Sequence, residues 1–372
     1  MAVPAERADV VVLGGGTAGA ATAMALARAG TTVVLLERTD GQRVRPGEML
    51  PPSARPLLTA LGVWERFLDD APMPVLGVLS AWGGADISVN DFVFHPYGHG
   101  FHLDRGRFDR MLRQTAVDAG ARIRLDTLVD AARRRDSAWH VTYRRCGECR
   151  EVVADVLVDA RGRSALGLGA PPRLVYDDLV AVLASFPDDG RSRDDDDYTL
   201  VESCPDGWFY SARLPSGDVA VAYMTDADYV AGGGAAMERE FHGALARAAH
   251  TSRRLGDRPR RRPLRAAPSY TSVGDDSMRP ARVPVGDAAL SLDPLSAHGL
   301  SHALSSARSA AEAIRAHLDG HGDALIRYDQ KARETFRRQL RTRQRFYSHE
   351  TRWPESSFWR RRRAEAAPLR AV

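Results

Sequence analysis

Residues 10–38 read VVVLGGGTAGAATAMALARAGTTVVLLER, and this stretch restricts the fold more tightly than any other. An apolar run at 9–13 predicts a buried strand, the alanine-rich 17–29 predicts a helix closed by Gly30, and 32–37 predicts a second strand. Together they form a βαβ unit. Gly14, Gly16 and Gly19 give G-x-G-x-x-G between strand and helix, with Thr17 and Ala18 inside the motif. Such glycines allow a tight turn, close approach of a pyrophosphate and close helix–strand packing, while the helix N-terminus attracts negative charge. Glu37 ends the second strand, placed to accept hydrogen bonds from an adenosine ribose. The expected ligand is a dinucleotide, against an ordinary tight βα turn. The motif does not choose between NAD and FAD.

A second segment, VPVGDAALSLDPLSAHGLSHALSSARSAAEAI at 283–314, does choose. A buried strand breaks at Gly286–Asp287, where a carboxylate can take hydrogen bonds from a ribityl chain. The chain then turns at Asp293–Pro294 and enters a helix whose backbone N–H groups point at whatever lies above it. A reduced flavin carries negative charge, which such a dipole stabilises.

Bulk composition excludes several classes. With 372 residues, 44% hydrophobic and 27% charged, the chain suits a soluble globular protein of two closely joined domains. The longest apolar stretch, 10–36, is broken by Arg28 and glycines, so no membrane span is expected. No signal-peptide pattern precedes it, and three cysteines suit a reducing compartment, so a cytoplasmic location is expected. Net charge is +4, with Lys331 the sole lysine. The arginine groups at 258–262 and 360–363 read as solvated charge, the latter in a frayed tail. No nucleic-acid-binding motif accompanies them. Cys146-Gly147-Glu148-Cys149 reads as a hairpin turn with two incidental thiols, because a structural zinc site needs two further ligands.

Five segments together carry a resemblance: GGGTAG…LLER, PGEMLPPSARPLLTALGV (46–63), DRGRFDRMLRQTAVDAGA (104–121), VDARGRS (158–164) and VGDAALSLDPLSAHGL (285–300). In this order they resemble the FAD-dependent monooxygenases and flavin-dependent halogenases of the p-hydroxybenzoate-hydroxylase-like superfamily. The wording GEMLPP and DPLSAHG is most similar to flavoprotein maturases of quinone-cofactor amine and amino-acid oxidases. The implied fold class is α/β: a Rossmann-like, glutathione-reductase-type FAD-binding domain with an inserted, mostly antiparallel β-sheet substrate domain and C-terminal helices. FAD-binding segments are expected at 1–73, 104–170 and 275–320. Substrate-domain strands are expected at 74–103 and 171–274, and a helical region with a basic tail at 321–372.

The resemblance also implies site residues. Gly14, Gly16 and Gly19, with Thr17 and Ala18, would hold the pyrophosphate, and Glu37 with Arg38 the adenosine. Glu48, Met49 and Leu50 would lie along the flavin edge. Arg105 would reach the phosphate or ribityl side, and Val129, ending a strand, would touch adenine through its backbone. Asp159, Gly286 and Asp287 would line the ribityl or pyrophosphate region, and Pro294, Ala297, His298, Gly299 and Leu300 the ring. His298 is the candidate acid–base group. Alternating aromatics, among them Trp82, Phe92, Phe94, Tyr97, Phe101, Trp208, Phe209, Tyr210 and Tyr223, would divide between core and an apolar substrate pocket.

Two departures from the resemblance shape the functional expectation. Direct NADPH users carry an Asp–Gly pair where this chain reads Asp159-Ala160-Arg161-Gly162. Reducing equivalents would therefore come from NAD(P)H either directly or through a separate flavin reductase. Halogenases similar to those acting on tryptophan relay hypohalous acid through a lysine early in the chain, and Lys331 lies too late. The expected activity is hydroxylation of an electron-rich aromatic, through a flavin C4a-hydroperoxide. The substrate would be a small molecule, a residue in a polypeptide or a carrier-tethered group. A halogenase, a flavin dehydrogenase/reductase and a non-catalytic flavoprotein partner are the alternatives.

Overall fold

The computed structural model describes residues 5–39, 48–164, 167–168, 172–190, 197–274, 280–364, 368 and 370–371. Pro46 and Gly47, which begin one of the quoted segments, lie outside them.

Two large sheets organise the chain. The first runs β8 (Arg122–Arg124), β2 (Val33–Leu36), β1 (Glu6–Leu13), β11 (Glu148–Asp159), β10 (Ala138–Arg145), β9 (Leu128–Arg135), and β19 (Arg282–Pro284) also pairs with β11. β8, β2, β1, β11 and β19 are mutually parallel, while β9, β10 and β11 form an antiparallel meander. The central strands are continuous apolar runs because both faces are covered. On one face Val10, Val12, Leu35, Val156, Val158 and Val283 pack against α1 (Thr17–Arg28), α4 (Arg105–Asp118) and α7 (Gly299–Leu318). On the other, Val11, Leu13, Leu36 and Leu157 meet Trp139, Val141 and Tyr143 of the meander. Its β10–β11 turn is Cys146-Gly147, both at positive φ (51° and 80°), the geometry of a two-residue hairpin, and both cysteines of that region are free and exposed.

The second sheet has the order β17 (Arg265–Pro268), β13 (Leu179–Phe186), β16 (Val219–Asp226), β15 (Gly207–Arg213), β14 (Tyr198–Cys204), β5 (Gly77–Ala81), β6 (Ser88–Asp91). Only the β14–β5 pairing is parallel. One face packs Val182, Phe209, Val221 and Tyr223 against Phe241 of α5 (Gly234–Ala246) and Leu255 of α6 (Ala249–Leu255). The opposite face packs Ala181, Trp208 and Met224 against Tyr347 of α8 (Ala324–His349) and Phe358 and Trp359 of α9 (Ser357–Arg363).

Two small sheets join these bodies. β3 (Met49–Leu50) and β4 (Met73–Val75) flank β7 (Gly100–His102), and β20 (Leu290–Ser291), β18 (Ser272–Gly274), β12 (Arg173–Val175) and β21 (Arg370–Ala371) form the other. The segment after β3 forms two short helices, α2 (Arg55–Ala60) and α3 (Trp64–Asp69), separated at Gly62 with φ 64°.

The frayed basic tail is not observed. Arg360–Arg363 lie in α9, and Arg362 is 2% exposed. Its guanidinium is paired with Asp226 and lies 3.6 Å from the Phe358 ring centroid. In the other arginine group, Arg258 is also buried, bonded to Asp189, while Arg260 and Arg261 pair with Glu238 and Asp218. Arg258 and Arg362 are thus internal struts, whereas Arg261, Arg262, Arg360 and Arg361 remain exposed, as solvated charge.

Candidate active site

The parallel strands of the first sheet end together, at Leu13, Leu36, Asp159 and Pro284, and the space beyond their carboxyl ends is where an open parallel sheet forms its ligand crevice. Gly14 has φ 103°, and a Cβ there would lie 2.5 Å from the Ala160 carbonyl oxygen; one on Gly19 would lie 1.9 Å from the Gly14 oxygen. The turn thus fits between β1, β11 and α1 only without side chains. Gly286 closes on α1 from the other side, since a Cβ there would lie 2.7 Å from that of Ala18. Gly16 is the N-cap of α1 and His298 that of α7; neither helix has a side-chain cap or an acidic residue in its first turn. Each leaves backbone donors for an anionic ligand.

Side chains brace this turn. Glu37 is buried and accepts from Gly15 N–H at 2.5 Å and from Thr39 N–H and Oγ1, while Arg113 donates to the Gly15 carbonyl at 3.0 Å. At the start of α1, Thr17 Oγ1 donates to Asp109 at 2.6 Å and accepts from Arg105 at 3.1 Å. Asp109 and Arg113 escaped the sequence reading, yet they follow Arg105 at four-residue steps along α4, one helical face. That spacing was the available signal. Arg38 is exposed.

Asp159 at the end of β11 is 2% exposed and paired with Arg282 at 2.5 Å and Arg161 at 2.8 Å. Burial opposes its charge, but the two guanidiniums prevail and hold the carboxyl below its ordinary value. Asp287 remains partly exposed and pairs with Arg163 at 2.8 Å. Arg173, unremarked in the sequence, is 2% exposed and donates to the Asp287 and Ala288 carbonyls, shaping this loop from β12.

The Asp293–Gly299 turn stands between the two sheets. Ala297 adopts φ 52° and packs on the Met49–Val75–Phe92 cluster. Met49 and Leu50 therefore meet the turn's neighbourhood through β3, while the Glu48 carbonyl is tied to Leu103 N–H at 2.8 Å. His298 is exposed, with Nδ1 against the Ser296 carbonyl. A carbonyl only accepts, so Nδ1 carries the proton and Nε2 is left as an acceptor. Leu300 is buried beneath this turn.

Facing the turn, Leu183, Ala222, Tyr210, Val201 and Ser80 form one row across five strands of the second sheet. All but Ala222 are only half-buried. Leu295 of the turn packs in the same cluster as Leu183, Val201 and Tyr210. Tyr210 Oη is shielded from solvent and has no hydrogen-bond partner. Burial first, then the charge of Glu48, pushes this phenol well above its ordinary value, so it stays protonated.

Val129 is the second residue of β9 rather than the end of a strand, because the chain turns at Asp126, φ 52°, before the meander starts. It stays close to the Glu37 side of the site, since Thr127 N–H donates to the Glu37 carbonyl at 2.9 Å. Several of the expected pocket aromatics lie elsewhere. Trp208, Phe209 and Tyr223 are core, and Phe94 is 93% exposed. Tyr97 and Phe101 line a separate groove of about 380 Å³ with Trp64 and His99.

The crevice has the chemistry of a dinucleotide site: two open helix N-termini, a glycine turn without side chains, and polar atoms without partners. Arg163 Nε, Ser301 Oγ and His302 Nε2 are shielded and unbonded, a donor and acceptor set that phosphate and ribityl oxygens complete. Burial holds the His302 imidazole below its ordinary value, against Asp287 and the Gly286 carbonyl, so the ring is neutral near pH 7.

Comparison with known proteins agrees with this chemistry. A family model described as an FAD binding domain matches residues 7–185. LodB of Marinomonas mediterranea, named as an FAD-dependent oxidoreductase, is 31% identical over 373 residues, covering 97% of this chain and 98% of its own. The chain belongs to this family of FAD-dependent oxidoreductases. The 1H-pyrrole-2-carbonyl-(peptidyl-carrier protein) chlorinase of Pseudomonas fluorescens is 28% identical over 337 residues, 81% of this FAD-dependent oxidoreductase and 74% of the chlorinase. The solved flavin-dependent halogenase CmlS superposes with a TM-score of 0.85 at 26% identity, over 97% of this chain and 68% of its own. The peptidyl tryptophan dihydroxylase QhpG, essential for tryptophylquinone cofactor biogenesis, gives 0.79 at 28% identity, over 98% and 80%. Among the described residues of this oxidoreductase, no helix is long and apolar enough to cross a membrane.

Proposed function

We propose that this FAD-dependent oxidoreductase is a monooxygenase that hydroxylates an electron-rich aromatic ring carried on a polypeptide or a carrier protein. Reduced FAD supplies oxygen activation; the chain's own residues bind, orient and keep the site dry. Gly14, Gly16 and Gly19 with the α1 N-terminus take the pyrophosphate, Asp287 and Arg163 the ribityl region, and the 294–299 turn the ring. The half-buried row centred on Tyr210 receives a flat substrate, with its protonated hydroxyl as a hydrogen-bond donor. His298 Nε2 is the acid–base group at the turn.

The observation that carries hydroxylation over halogenation is the position of the only lysine. Lys331 is exposed on α8, about three helical turns before Arg343, the residue of that helix that reaches the turn. Among the described residues of the Tyr210 row and the turn, no lysine is present to relay an oxidised halide. The overlap with QhpG supports a tryptophan within a polypeptide as the substrate class. Turnover of tryptophan-containing peptides in chloride and bromide buffers, followed by mass spectrometry, is expected to show oxygen addition alone. An enzyme- and FAD-dependent halogen isotope pattern would overturn the reading.

The similarity to the carrier-protein chlorinase favours a second reading, halogenation of a carrier-bound ring. Carrier-bound pyrrole in the same buffers tests it, and recovery of unmodified pyrrole rejects it. The Asp-Ala-Arg-Gly wording at 159–162 supports a separate flavin reductase as the electron source. NAD(P)H oxidation is then expected to depend on added reductase.

A further inference from the structure

The turn that faces the crevice is held from a distant part of the chain. Asp293 is 4% exposed, and each of its oxygens is used. Oδ1 accepts from Leu295 N–H at 2.9 Å, closing the turn at its first residue. Oδ2 accepts from Arg343 Nε and from Tyr347 Oη, both at 3.0 Å and both from α8. The Asp293 carbonyl accepts from Ser296 Oγ at 2.9 Å, the far side of the same turn. Tyr347 Oη in turn accepts from Trp208 Nε1 at 3.0 Å, on the central strand that carries Tyr210. Arg343 also pairs with Asp177 at 3.0 Å.

This arrangement has two electrostatic consequences. A buried carboxylate beside the turn would repel negative charge on a reduced flavin, and Arg343 neutralises it. The N–H groups of Leu295–Ala297 are spent inside the turn, so the donors open to a ligand are those of Gly299–Ser301 at the start of α7. They keep one direction only while the turn before them is clamped through Asp293, and a preorganised donor stabilises charge more than a mobile one. No local signal at 293–299 announces either partner.

We propose that Arg343 and Tyr347 are positioning residues for the flavin-facing turn. They set how strongly the protein favours reduced over oxidised FAD, acting through Asp293. The inference rests on membership of the FAD-dependent family and is independent of whether the product is hydroxylated or halogenated.

The test measures dissociation constants for oxidised and for dithionite-reduced FAD under anaerobic conditions, with thermal unfolding of the holoprotein beside them. Tyr347→Phe removes the hydroxyl alone, Arg343→Gln removes the charge, and Arg343→Lys keeps the charge without the planar fork. Tyr347→Phe and Arg343→Gln are expected to keep oxidised FAD bound but to lower the preference for reduced FAD by roughly 2- to 30-fold, the range of one helix-terminus interaction. Arg343→Lys is expected to recover part of that preference. Should Arg343→Gln fail to fold, Tyr347→Phe decides. A lower unfolding temperature with an unchanged preference in Tyr347→Phe would overturn the proposal, as would no change in either. Failure of the hydroxylation assay leaves these binding ratios untouched, so the two readings fail separately.

Discussion

Arg362 and Asp226 meet fork to fork, at 2.5 and 3.1 Å, with both side chains 1% exposed. Arg361 adds a contact to the same carboxylate at 2.9 Å. This pair fastens α9 to the end of β16, under the aromatic cluster of Trp82, Trp208, Tyr347 and Trp359.

Breaking a buried ion pair from one side costs about 3–5 kcal/mol when the other charge is stranded, and without Arg362 the buried Asp226 keeps only the half-exposed Arg361. Arg362→Met is therefore expected to lower the unfolding temperature sharply. Adding Asp226→Leu to Arg362→Met is expected to recover most of the loss. A double variant as unstable as the sum of the singles would deny the coupling; calorimetry of all four proteins measures it.

Gly19→Ala places a methyl group against the Gly14 carbonyl, where a Cβ has only 1.9 Å. The helix must move away from β1, and the crevice loses its floor. Purified Gly19→Ala is expected to be colourless while far-ultraviolet circular dichroism retains helix and strand. A yellow variant with stoichiometric FAD would show that the turn adapts.

His102 on β7 is fully buried, with Nε2 2.8 Å from Thr199 Oγ1. Burial, then the charge of Arg254, lowers its pKa from 6.5 to about 3. The unfolded chain therefore binds a proton that the folded chain refuses. Stability from this group is complete above about pH 6.5 and is lost as the pH falls toward 3, by at most ~1.4 kcal/mol per pH unit. His102→Asn, which can still reach Thr199, is expected to flatten the acid limb of urea-unfolding stability. An identical limb in the variant removes His102 from the account.

For His298, whose Nδ1 is occupied by the Ser296 carbonyl, the free Nε2 predicts a kinetic effect rather than a binding one. His298→Ala is expected to retain FAD and to slow product formation by about 10²–10⁴-fold, with hydrogen peroxide released instead. Oxygen-electrode and product assays give the coupling ratio. A ratio equal to the parent's assigns the ring to the loop alone.

The parts of this site that could be read from the sequence are those written within a few consecutive residues. The glycines of 14–19, the acid at Glu37 and the Gly286–Asp287 break each carry local geometry, and all converge on one crevice edge. The Asp293–Pro294 turn was also legible, because an aspartate before proline closes on its own backbone. What holds these pieces was not. Arg173, Arg282, Arg343 and Arg362 are buried by partners more than a hundred residues away or by the opposite face of a distant sheet. In an arginine-rich chain nothing local separates a buried guanidinium from a solvated one. Tyr210 and Trp208 look alike in an alternating strand. Only the covering helices α8 and α9 decide that Trp208 is packed and Tyr210 half-open.

The interleaving of β1, β11 and β19 also governs how the protein is made. β11 receives its second parallel neighbour only from residues 282–284, and α1 lies against α7, which follows them. At ~5–20 residues per second, the ribosome leaves the nascent α1 without α7 for roughly 10–50 s. During that interval the apolar flank of α1 is bare, and the cofactor has no closed crevice to enter. Flavin capture therefore waits for α7, and scarcity of FAD in the cell is felt by a chain that has already made the strands of both large sheets rather than by its first emerging fold.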